Sequence, residues 1–97
     1  MVIGCVTIRL LIRESRTLKD KRQVVRSILA RLRVEFNVSA AEVDSLEDVK
    51  VATLGFATVG FEVPAVQHVL QEITEALRKH PVAEFLGSES SVGMEVV

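Results

Sequence analysis

The alternation in residues 2–12 is the feature that most constrains the fold. One parity reads Val2, Gly4, Val6, Ile8, Leu10, Ile12 and is almost wholly apolar. The other reads Ile3, Cys5, Thr7, Arg9, Leu11, Arg13 and is mixed. Successive strand side chains point to opposite faces, so this segment predicts a strand with one core face and one half-exposed face. A sheet built on it is covered by helices on one side only.

The remaining segments can be read against that strand. Glu14 to Arg16 is a polar connection. Thr17 with Asp20 three positions on forms a variant of the capping box and opens a helix. Leu18, Val25, Ile28, Leu29, Leu32 and Phe36 recur on one face of it, and Asn37 is expected to close it in a left-handed turn. Val38–Asp44 reads as a strand, Ser45–Asp48 as a turn, and Val51–Phe61 as a strand. In that last strand Gly55 and Gly60 allow close approach of backbone or helix. Pro64 suits the first turn of a second helix, with Val66, Val69, Leu70, Ile73 and Leu77 as its stripe and Pro81 as its stop. Val82–Val97 supplies a last strand or strand pair, interrupted around Gly87–Ser91. The order β-α-β-β-α-β predicts an α+β, ferredoxin-like sandwich over residues 1–97: a four-stranded antiparallel sheet with both helices on one face. Ile3, Cys5 and Leu11 then lie on the uncovered face, and a homodimer through that face or through an edge strand is the expected way to cover it.

Composition narrows the function classes. Ninety-seven residues make one domain, and aromatics amount to 4%, all Phe, so the core is aliphatic. A single cysteine excludes an intrachain disulfide and a four-cysteine zinc site. No apolar run approaches the length of a membrane span and no signal peptide is expected, so the expected location is the cytoplasm. Arg outnumbers Lys eight to four, and Asn plus Gln total four, a composition that points to a thermophilic source.

Net charge is −1, but it is unevenly distributed. Residues 1–34 hold nine bases against two acids, and residues 35–97 hold three bases against eleven acids. At 100° per residue, Lys19, Arg22, Arg26 and Arg33 fall within about 60° of one another, beside the apolar stripe. Arg13, Arg16 and Lys21 lie near the start of the same helix. Such a ridge suits phosphates along a nucleic-acid backbone. It equally describes a solvated face, or a stripe paired with acids from residues 35–97.

Other chemistry finds less support. Leu54–Phe61 echoes the main ribonucleoprotein motif, but Leu54 stands where the motif begins with a base and Thr58 replaces a stacking aromatic. Acylphosphatases share the predicted element order; here the first loop, Arg13–Thr17, has arginines and no glycine, and Asn37 is the only asparagine. His68 with Glu72 and Glu75 reads as surface ion pairing, His80 as a helix C-terminal residue, and Cys5 has no histidine near it in sequence. No cofactor, metal site or catalytic residue is expected.

Three segments carry a family likeness. Thr17–Ser27 resembles the signature helix of the YlxP-like proteins, a bacterial family of unknown function (number 503). Phe36–Asp44 and Leu54–Ala57 resemble the same family in the same order. The resemblance implies a ferredoxin-like fold and no established activity. Genes of that family often neighbour those for translation initiation and ribosome maturation, which implies RNA or a ribosomal subunit as partner. The matching positions are Leu18, Lys19, Asp20, Lys21 and Arg22. The resulting expectation is a non-catalytic accessory protein that touches RNA through Arg13, Arg16, Lys19, Lys21, Arg22, Arg26 and Arg33. A homo-oligomeric interaction module is the alternative, and a phosphate-ester or acyl-phosphate hydrolase comes third.

Overall fold

A computed structural model describes residues 1–94. The elements run β1 (Val2–Leu11), α1 (Leu18–Glu35), β2 (Ser39–Asp44), β3 (Val51–Gly60), α2 (Val63–Arg78) and β4 (Glu84–Met94). The strands form one antiparallel sheet in the order β2-β3-β1-β4. This is the ferredoxin-like arrangement that the element order predicts.

The parity of β1 is resolved as expected. Val2, Val6, Ile8, Leu10 and Ile12 are buried. They join Val25, Ile28, Leu29 and Leu32 of α1 and Leu70, Ile73 and Leu77 of α2 in a core where Phe56 is the one fully buried aromatic. Leu18 and Phe36, at the two ends of the α1 stripe, are half-buried. Close approach of α2 depends on missing side chains. A Cβ on Gly4 would collide with Val66 and stand 3.1 Å from Leu70, and one on Gly60 would lie 2.8 Å from Val66. Gly55 likewise admits Val43, which bulges from β2 over it.

Thr17 caps α1 as predicted: its hydroxyl accepts from the Asp20 amide, and the Asp20 carboxylate accepts from the Thr17 and Arg16 amides. The expected left-handed close at Asn37 does not occur. Phe36 leaves the helix in extended conformation with its amide still donating to Leu32, and Ser45 is the sole described non-glycine residue with positive φ. The Phe36 ring packs partly buried against the core, and its extended backbone leads through Asn37 and Val38 straight into β2. The last segment also differs. It is one strand with a single register shift opposite Arg9 and Leu10, where Leu86 is the extra residue. The bulge takes up Leu86, and Gly87–Ser91 then pair regularly with β1, so no turn interrupts the strand. Residues 95–97 of the expected segment lie outside the described residues. Among the described residues, no helix is long and apolar enough to cross a membrane.

Candidate nucleic-acid interface

Four of the seven residues expected to touch RNA form an exposed basic surface. Lys19, Arg22 and Arg26 project from one side of α1, and Arg16 stands just before the Thr17 cap. None of the four makes a salt bridge among the described residues. Asp20, the acid within the same turn, holds the cap, and Glu35 pairs with Arg31 at 2.9 Å on the other side of the helix. The amide of Arg16, donating to Asp20, is the first cause that holds the Asp20 carboxyl below its ordinary value.

Arg33 and Arg13 are exposed but committed. The Arg33 guanidinium donates to the Ala40 carbonyl of β2. That hydrogen bond ties the C-terminal end of the ridge to β2, an edge strand of the sheet. Arg13 pairs with Glu84 at 2.6 Å, tying the end of β1 to the start of β4.

Lys21 requires a correction. It is wholly buried, not part of the surface. Its Nζ donates to the carbonyls of Ser45 at 2.7 Å and Val51 at 3.1 Å. It also stands 3.1 Å from the Glu42 carboxylate, a charge pairing off the hydrogen-bonding angle that leaves Glu42 Oε2 without a hydrogen bond among the described residues. The helical arithmetic that isolates the ridge also carried this signal. Lys21 falls inside the apolar sector, between Ile28 and Leu32, so its charge had to be met internally.

Around Lys21 lies a tightly bonded knot that sequence reasoning did not find. Ser15 Oγ donates to the Val49 carbonyl at 2.7 Å, and the Ile12 amide donates to the Lys50 carbonyl at 2.8 Å. Lys50 Nζ returns to the carbonyls of Arg13 at 2.6 Å and Ser15 at 2.8 Å. Asp48 accepts from the amides of Val51 and Lys50, and these bonds hold its carboxyl below the ordinary value. The connection between β1 and α1 is therefore a rigid platform for Arg16 and Lys19. No local sequence signal pairs Ser15 with Val49, because the two meet only through the fold.

The uncovered sheet face is mixed. Cys5 is exposed, whereas Ile3 and Leu11 are half-buried beside their cross-strand partners Val59 and Val51. Between them lies a shallow trough of about 370 Å³ floored by Cys5, Thr7, Ala41, Gly55 and Ala57. Among the described residues, no three His, Cys, Asp or Glu side chains converge as metal ligands would.

The family model described as Protein of unknown function (DUF503) matches residues 3–90. The chain belongs to the DUF503 family. That match takes in the Thr17–Asp20 cap, the α1 ridge, the Lys21 knot, the edge strand β2 and β4 as far as Ser90. No curated protein matches the chain.

Proposed function

We propose that this member of DUF503 is a non-catalytic accessory protein that holds RNA by its phosphates, with Lys19, Arg22 and Arg26 as the principal contacts and Arg16 at the end of the ridge. One observation carries this reading: these cations are exposed on one side of a capped, well-packed helix, and among the described residues none of them is in a salt bridge with an acid of the chain. Lys19 to Arg26 spans about 10 Å of helix, and Arg33 extends the line to about 21 Å. The ridge is straight, so it can follow one strand of a duplex or a folded RNA. Phosphate contacts position a protein without reading sequence, so structured RNA rather than a sequence motif is the substrate class. The likeness of Thr17–Ser27 to the YlxP-like proteins, with their translation-linked gene neighbourhoods, supports a ribosomal subunit as the first partner to test, and the cytoplasm as the place.

The test is binding of the pure protein to each ribosomal subunit and to bulk structured RNA through a salt titration. The expected result is binding whose logarithm falls linearly with that of salt. In Arg22→Glu/Arg26→Glu the slope should be shallower by about 0.9 for each phosphate that is no longer neutralised. Unchanged affinity and slope in that variant would sink the proposal.

A further inference from the structure

The two edges of the sheet are built differently. The β2 edge is six residues long, bulged at Val43, and has its Ala40 carbonyl taken by Arg33. These are the devices by which proteins blunt an edge. The β4 edge has almost none of them. From Gly87 to Met94 it keeps regular register with β1, contains neither Lys nor Pro, and carries Glu89 as its one charge. Half of the backbone groups of such a strand face outward. Nor does α2 overhang it: an open groove of about 570 Å³ runs between Gln67, Gln71 and Thr74 of α2 and Ser88, Ser90 and Val92 of β4.

We infer that the β4 edge pairs antiparallel with β4 of a second copy of this chain, joining two sheets into one of eight strands. The occupant follows from charge. A two-fold interface sets each surface against itself, so it must tolerate its own image. The α1 side of the molecule, with its row of unpaired cations, cannot. The β4 side can: Gly87, Ser88, Ser90, Ser91 and Gly93 are small and uncharged, and the charged pair on the adjoining flank of α2, Glu75 with Arg78 at 3.4 Å, is internally neutral. The axis falls between Ser90 and Val92. At Glu89 it would bring two carboxylates face to face, and nearer Leu86 it would meet the bulge. This pairing leaves both basic ridges on the far edges, and it stands or falls independently of the RNA reading.

The experiment is sedimentation of the full chain, without RNA, over a range of concentrations, with amide hydrogen exchange across β4. The expected result is a dimer whose amides in 87–94 gain protection as concentration rises. Ser91→Lys, which sets like charges close to the axis on an exposed position, weakens the dimer tenfold or more while the circular dichroism stays native, and Ser91→Thr leaves it intact. A wild-type monomer at the highest concentrations would overturn the proposal. So would a dimer that Ser91→Lys, still folded, does not weaken.

Discussion

Lys21 shows how one residue can reverse its reading between sequence and structure. Its place in a Lys-Asp-Lys-Arg run suggests surface charge, yet its helical angle buries it, and three oxygens from β2, the following turn and β3 receive its ammonium. Removing one partner of a buried ion pair leaves the other uncompensated. Lys21→Met is therefore expected to cost about 3 kcal/mol, read as a lower urea midpoint at an unchanged slope. The same variant leaves the salt slope of RNA binding as it was, because Lys21 never reaches the surface. His80 makes a second test at this scale. Its Nδ1 accepts from the amides of Ala83 at 3.0 Å and Val82 at 3.2 Å, so the folded ring is neutral. Burial, with a contribution from Arg31, lowers its pKa below the ordinary 6.5. The unfolded chain binds the proton more readily than the folded one. The stability due to His80 is therefore complete above pH 6.5 and is lost as pH falls from there through the lowered folded value. Urea midpoints between pH 7.5 and 5 should fall in the wild type and fall less in His80→Asn.

At the scale of elements, most of the fold was legible and the reasons are local. Parity fixed β1, the Thr17–Asp20 pair fixed the start of α1, and Pro64 and Pro81 bracketed α2. What was not legible depends on how distant parts of the chain meet. The extended exit after α1 goes with the packing of the Phe36 ring on the core, and the continuity of β4 follows from its pairing with β1, which no count within 82–97 reveals. The basic ridge was legible as a helical sector; its lack of salt bridges among the described residues was not, because that depends on where Asp20 and Glu42 spend their oxygens. Glycine positions carry a further prediction. Gly4→Ala places a methyl group where α2 lies, against the stiff, buried Val66, and should cost about 1–3 kcal/mol. Gly93→Ala, with open space at its Cβ, should be tolerated far better, and thermal unfolding of the two side by side checks the contrast.

For the whole molecule, the significant property is a division of charge rather than a net charge. A value of −1 hides a cationic flank along α1 and an almost uncharged edge along β4. Association with polyanions should accordingly respond to substitutions on one flank only. Arg22→Glu should lower RNA affinity and its salt slope, whereas Glu89→Gln, at the opposite edge, should change neither; parallel titrations at two salt concentrations decide this. The two ends of the sheet differ as well. A hairpin turn is ordinarily the place where a chain accepts foreign sequence most readily. Here the turn from Ser45 to Lys50 is a poor choice, because Ser45 and Val49 lend their carbonyls to Lys21 and Ser15, and Lys50 reaches back to the β1–α1 connection. A reporter or affinity tag spliced into it would loosen the start of α1, thirty residues upstream, together with the platform beneath Arg16 and Lys19. Among the described residues the exposed connection around Pro81 and Val82 makes no hydrogen bond to α1, so an insertion there would disturb the His80 bonds to Val82 and Ala83 but spare the platform.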